Sequence, residues 1–230
     1  MTFDVSLIVS SLPLILAGLG LTLNLLVVSI LSGLVLAVGI LLMRLSGRAW
    51  LVWPAKVYIY FFRGTPLLVQ LFIIYHGLPQ FDFIRQSVLW PLLREPYWCS
   101  VIALALNTAA YDSEILRGAV LGVDKGLIEA GRALGLTKFQ RSTRITAPLA
   151  IRLALPAYSN EIVSMLKATS LASTVTLMEM TGVARTIVSQ TFAPYEIFIA
   201  AAIIYLVLVW IIQTGFGLME ARANRFVRKG

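Results

Sequence analysis

Residues 5–43 contain no charged side chain, and no other feature of the chain narrows the possible folds as much. As a helix, residues 14–43 alone would be about 45 Å long, against a hydrocarbon core of roughly 30 Å. A run of that kind predicts a helix that crosses a membrane, because lipid leaves the backbone no partner but itself. Pro13 predicts a break, with a short outer segment before it and a first span over about 16–43. Thr22, Asn24, Ser29 and Ser32 mark the face of that span turned toward protein, where they serve as packing groups between helices.

Composition extends the same reading to the whole chain. Hydrophobic residues make up 59% and charged residues 13%, with a mean hydropathy of +0.86. Few short runs alternate with period two, which argues against a membrane barrel. Four more spans are expected over about 57–78, 97–116, 153–171 and 196–217. The fold class is therefore all-α, a polytopic membrane protein of five spans in one transmembrane domain, 1–230.

The net charge of +8 carries topology and does not point to nucleic acid. Of the 19 Lys and Arg, 14 fall into three groups: Arg44/Arg48/Lys56, Arg117 to Arg152, and Arg222 to Lys229. The positive-inside rule makes those groups cytoplasmic, so the N-terminus is expected outside and the C-terminus inside. No Lys or Arg precedes Arg44, and a cleaved signal peptide is not expected without a basic leading region. One cysteine, Cys99, cannot form an internal disulfide.

Residues 47–56 read as a cytoplasmic turn with Trp50 and Trp53 at the interface. The second span holds FFRGTPLLVQL at 61–71, where Arg63 and Gln70 must face protein or a water-filled cavity and Pro66 invites a kink. His76, the sole histidine, reads as structural. In the third span Asn107, Tyr111 and Glu114 recur at i, i+4, i+7 as one polar stripe, with Arg117 placed to pair with Glu114.

The segment 120–171 is where the apolar pattern is interrupted. Asp124 is a candidate N-cap, and Leu127, Ala130, Gly131 and Leu134 form a small apolar stripe with Glu129 and Arg132 off it. Gly135 stands where a helix terminator belongs. Thr137 and Gln140 fit a capping box for a second short helix, which Pro148 is expected to limit. The loop, 117–152, reads as a compact knob that docks into a groove on a cytoplasmic partner. The fourth span then carries Asn160, Ser164 and Lys167 on one face and Glu161 beside them, and ionisable groups within a span point to function.

Taken together these motifs resemble the permease subunit of a bacterial ATP-binding-cassette importer of the polar amino acid type. The likeness is greatest to the M-type subunit of the histidine/lysine/arginine/ornithine and opine systems. Glu129-Ala130-Gly131 stands for that family's EAA, Gly135 for its glycine, and Ile145-Thr146-Ala147-Pro148 for its I-x-LP. Gly131 and Ala147 depart from the pattern by small-residue changes. FFRGTPLLVQ at 61–70, the Asn107…Glu114…Arg117-Gly118 segment and the run Arg152 to Leu171 also match.

The resemblance implies a pathway enclosed by two permeases, from spans 2 to 4. It also implies a coupling helix around Glu129, Ala130, Gly131, Leu134 and Gly135 seated in each ATP-hydrolysing subunit. The partners it implies are a second permease, a paralogue more than an identical copy, two ATP-binding subunits and a periplasmic binding protein. That protein would meet the outer loop including Glu179 and Arg185. The expected location is the bacterial inner membrane. The chain has no G-x-x-x-x-G-K-[ST] phosphate loop, so no cofactor is expected in it, and ATP and Mg belong to the partner ATPase. Substrate-pathway candidates are Glu161, Ser164, Asn160, Asn107 and Gln70, with Glu161 facing a cationic cargo such as arginine, lysine or an arginine-derived opine. A secondary transporter or channel is the alternative, but no internal repeat is visible. A membrane enzyme would want clustered His, Cys or paired acids.

Overall fold

The computed structural model describes residues 4–223, which are helical with no strand among them. Helix α1 (Val5–Leu16) starts at Asp4, whose carboxylate accepts the Ser6 and Leu7 amides at 2.8 and 3.2 Å. Pro13 lies inside α1, and the chain breaks at Ala17–Gly18 instead, before α2 (Leu19–Leu45). The expected break at Pro13 is thus displaced by one turn. The turn expected over 47–56 is largely helix, because α3 (Ala49–Gly64) begins at Ala49 and carries Trp50 and Trp53 on an exposed flank.

At Thr65–Pro66 the path turns by 105° into α4 (Leu67–Phe72), which runs on through a π turn and a 3-10 turn to Gln80. The kink expected at Pro66 is therefore a full break. Two one-turn helices, α5 (Asp82–Arg85) and α6 (Trp90–Leu93), fill the following loop. The long helix α7 (Pro96–Leu121) comes next, then α8 (Lys125–Ala133) and α9 (Lys138–Arg141). A π turn over Ser142–Thr146 carries α9 directly into α10 (Ala147–Ala168). Pro148 thus opens α10 and does not limit the preceding helix, since a proline in a first turn has no helical N–H to lose. The fourth span, expected from about 153, belongs to a helix that begins at Ala147, and Pro156 lies mid-way along it. A 3-10 stretch, α11 (Met180–Thr191) and α12 (Pro194–Ala223) complete the described chain. Of the basic group Arg222 to Lys229, Arg225, Arg228 and Lys229 lie outside the described residues.

Among the described residues α2 and α12 are each long and apolar enough to cross a membrane, and α3 with α4 and its continuation forms a third, broken candidate. Helices α7 and α10 have the length, at 26 and 22 residues, but their polar side chains lower their hydropathy. Those two carry most of the polar side chains, and α7 lies inside. Thirteen residues of α7 are buried, more than in any other described helix.

The tightest contact fixes α2 on α7. A Cβ at Gly33 would stand 2.1 Å from Thr108 Cγ2 and 3.1 Å from the Ala105 carbonyl. Small residues at such crossings let backbones approach where lipid supplies no hydrophobic drive. On the other side, Leu104, Met165 and Leu166 join α7 to α10, while Ile8 and Ile15 of α1 pack on Met180, Ile197, Ala200 and Ile204. Replacing Gly33 by Leu forces α2 off α7 and costs about 1–3 kcal/mol, as overpacking does. The purified subunit's thermal midpoint in detergent is expected to fall, whereas Gly20→Leu, which meets open space, leaves it unchanged.

Candidate functional site

The break between α3 and α4 strands backbone carbonyls within a span, where an unpaired polar group is costly. Two amides answer it. Gln70 Nε2 donates to the Phe62 and Thr65 carbonyls at 2.9 and 3.0 Å and to Thr65 Oγ1 at 2.8 Å. Asn107 Nδ2 donates to the Phe62 carbonyl and to Gln70 Oε1, both at 3.1 Å. Both residues are buried. Their hydrogen-bonding capacity goes largely to holding the break, which leaves few free amides for a ligand.

One turn further along α7 the chemistry turns ionic. The Arg63 guanidinium lies 5.0 Å from the centre of the Tyr111 ring. Thr108 Oγ1 donates to Glu161 Oε1 at 3.3 Å, tying α7 to α10. Asn107 and Ser164, expected with Glu161 along the substrate pathway, make no bond to it. Its partner is Thr108, which faces Gly33 with its methyl group and Glu161 with its hydroxyl. Ser164 donates to the Asn160 carbonyl at 3.0 Å, and Asn160, Ser164 and Lys167 share an exposed flank of α10. Lys167 lines a cleft of about 410 Å³ with Ser170, Thr181 and Tyr205.

Nearer the end of α7 the carboxylate of Glu114 joins α7 to α2. Arg117 grips it with Nε at 2.9 Å and Nη2 at 2.7 Å, and Arg44 from the end of α2 reaches it at 3.2 Å. The expected Glu114–Arg117 pair is thus present, with a third member from α2.

Sequence reading passed over Asp112. It is fully buried, and neither carboxylate oxygen has a hydrogen-bond partner. It stands at i+4 from Thr108, off the Asn107–Tyr111–Glu114 stripe, on a side of α7 that only the packing of its neighbours marks as inside.

Glu179 was expected on the outer face toward a binding protein. It is fully buried and caps α11 through the Thr181 and Gly182 amides, both at 2.9 Å, while Tyr205 donates to it at 3.1 Å. Burial leaves it no surface to present. Arg185 is exposed and bonds the Ser173 carbonyl at 3.3 Å.

The knob between α7 and α10 has the caps its sequence calls for. Asp124 accepts the Gly126 amide at 2.7 Å, and Thr137 and Gln140 exchange both bonds of a capping box. Gly135 has φ +75°, the left-handed conformation that glycine adopts without strain. The Leu136 amide reaches the Gly131 carbonyl and the Gly135 amide the Arg132 carbonyl, both at 3.0 Å, closing α8 as a Schellman motif. The apolar stripe divides. Gly131 is buried, and a Cβ there would meet Ile145 Cδ1 at 2.6 Å, which is why glycine occupies the position. Leu127, Ala130 and Leu134 face out with Glu129, and Leu134 is 81% exposed. At the root, Ile128 packs on an apolar cluster of Ala119, Val123, Ala150 and Ala154, drawn from the end of α7, the turn after it and α10.

Known proteins share this arrangement. Residues 29–225 match the family described as binding-protein-dependent transport system inner membrane component. The chain is 53% identical to an octopine transport system permease protein of Rhizobium meliloti, over 96% of this chain and 90% of that one. It is 47% identical to a nopaline transport system permease protein of Agrobacterium fabrum, over 98% and 94%. A histidine/lysine/arginine/ornithine transport system permease protein of Escherichia coli is 39% identical over 92% and 89%. Among solved structures, a chain of an amino acid ABC transporter crystallised with histidines superposes with a TM-score of 0.85 at 35% identity, covering 96% of this chain and all of that one.

Asp112 yields a prediction of its own. Asp112→Asn keeps the shape and removes a buried unpaired acid, so the subunit's thermal midpoint is expected to stay level or rise. Asp112→Lys puts a longer, oppositely charged group in the same buried place and is expected to abolish assembly, read by size exclusion in detergent.

Proposed function

This chain belongs to the family of binding-protein-dependent transport system inner membrane components, and we propose that it carries cationic amino acids or arginine-derived opines inward. It is a permease subunit of an ATP-binding-cassette importer of the amino acid and opine class. Five spans cross the inner membrane in this reading, with α2, α3–α4, α7, α10 and α12 as the crossings, α1 as a short outer segment, the N-terminus outside and α8 in the cytoplasm. The observation that carries the assignment is identity of about one half to an octopine permease over nearly the whole chain.

The mechanism follows from how the elements are joined. Two ATP-binding subunits hydrolyse ATP, and this chain does not. Glu129, Ala130, Leu134 and Gly135 present the exposed end of α8 to a cleft in one of them. Leu127, Leu134 and Phe139 are 48, 81 and 76% exposed, an apolar face suited to such a cleft. Closure of the ATPases pushes α8, and the apolar root at Ile128 passes the push to α7 and α10 together. The pathway wall moves with them. A second permease, a paralogue in this reading, supplies the opposite wall, and a periplasmic binding protein releases cargo to the outer loops near Arg185.

Glu161 is the group that meets the cation of the cargo. It is half-buried on α10, and Thr108 is its one hydrogen-bond partner among the described residues, so it keeps acceptor capacity toward the pathway. A carboxylate in such surroundings attracts ammonium or guanidinium far more strongly than one in water. Uptake into proteoliposomes holding the complete importer tests this. Glu161→Gln is expected to reduce arginine uptake at least roughly tenfold while a neutral amino acid is carried as before. An equal loss for both cargoes, or no loss for either, contradicts it.

A further inference from the structure

We propose that Arg63 binds the carboxylate of the cargo, in a cleft between α2, α3 and α7 that forms the anionic-group half of the site Glu161 begins. The proposal rests on the reading of Glu161 given above and extends it. The cleft has a volume of about 570 Å³ and is lined by Arg44, Lys56, Arg63, Tyr60, Tyr111 and Glu114, among others. That volume lies within the usual range for small-ligand sites.

The charge balance in the cleft is one-sided. Glu114 is its sole acid, and Arg44 and Arg117 already share that carboxylate. Arg63 and Lys56 make no salt bridge among the described residues. Arg63 is exposed on the open side of the cleft, so its guanidinium is left for water or a ligand to complete. The cation–π contact with Tyr111 positions the guanidinium, whose N–H groups make no hydrogen bond among the described residues and suit a two-pronged carboxylate contact.

The position of Arg63 also relates it to Glu161. Tyr111, under Arg63, lies at i+3 from Thr108, which bonds Glu161. Residues three apart on a helix are neighbours, so a cation from α3 and an anion from α10 converge on one turn of α7. An amino acid with a cationic side chain needs both signs within its own length. The site offers both.

A lipid headgroup is the competing ligand for this cleft, because Trp53, Lys56, Tyr60 and Arg63 recur at 3-4-3 spacing along one exposed flank of α3. Depth argues against it. Arg63 stands about 20 Å along α3 from Ala49, beside the break in the span, whereas Arg44 and Lys56 mark the cytoplasmic end of the same cleft.

The test is equilibrium binding to the complete importer in nanodiscs without binding protein, using radiolabelled arginine and agmatine, which is arginine without its carboxylate. The wild-type complex is expected to hold arginine at least roughly tenfold more tightly than agmatine. Arg63→Gln should erase that ratio by weakening arginine alone, and Arg63→Lys should retain part of it. Equal weakening of both ligands, an unchanged arginine affinity, or an effect seen only in discs containing phosphatidylglycerol overturns the proposal. The last outcome would assign the cleft to a headgroup. Glu161→Gln run in parallel should weaken both ligands alike. If it does not, the reading of Glu161 fails while the arginine-to-agmatine ratio still decides Arg63.

Discussion

The close approach of α2 to α7 at Gly33 is the contact on which the other arrangements depend. With no side chain at Gly33, α7 lies against α2 and its own side chains are fixed in direction. Asn107 then reaches the broken span, Thr108 reaches Glu161, Tyr111 lies under Arg63, and Glu114 collects Arg44 and Arg117. Each contact joins α7 to a different element or charge. A shift of α7 by even an ångström would loosen all of them at once.

The second dependence is on satisfied backbone. A 105° turn within a span is tolerated only where protein or a water-filled cavity supplies partners. Gln70 and Asn107 supply them, and their buried amides cost little because their hydrogen bonds are made. The break in turn sets Arg63 at the end of α3, facing the cleft. A structural staple and a candidate ligand contact are thus built from adjacent turns of the same segment.

How much of this could be read from sequence depends on the kind of signal. Local signals survived intact: the Asp124 cap, the Thr137–Gln140 box and the left-handed Gly135 are each dictated by residues within one turn. Proline was less reliable. Pro13 and Pro148 sit in or at the start of helices and break neither, whereas Pro66 ends one, at a break whose stranded carbonyls Gln70 and Asn107 satisfy. Direction of burial was illegible. Glu179 stands in a polar stretch yet is fully buried as a cap, and Asp112 was hidden among small residues because only the packing of α2 and α10 on α7 decides which side is inside. Gly131, a departure from the familial alanine, is explained by Ile145, a contact no pattern in the sequence announces.

The central claim is that α8 moves as one body with α7 and α10, so that an event at the ATPases becomes a displacement of the pathway wall. Pulsed electron–electron spin resonance on the reconstituted importer tests it most directly, with spin labels at Lys125 on α8 and Ser164 on α10. The account predicts that this distance stays constant between the nucleotide-free and ATP-bound states, while the distance from Ser164 to a label on the opposite permease changes. A Lys125–Ser164 distance that shifts with nucleotide while the distance across the pathway stays fixed would contradict it.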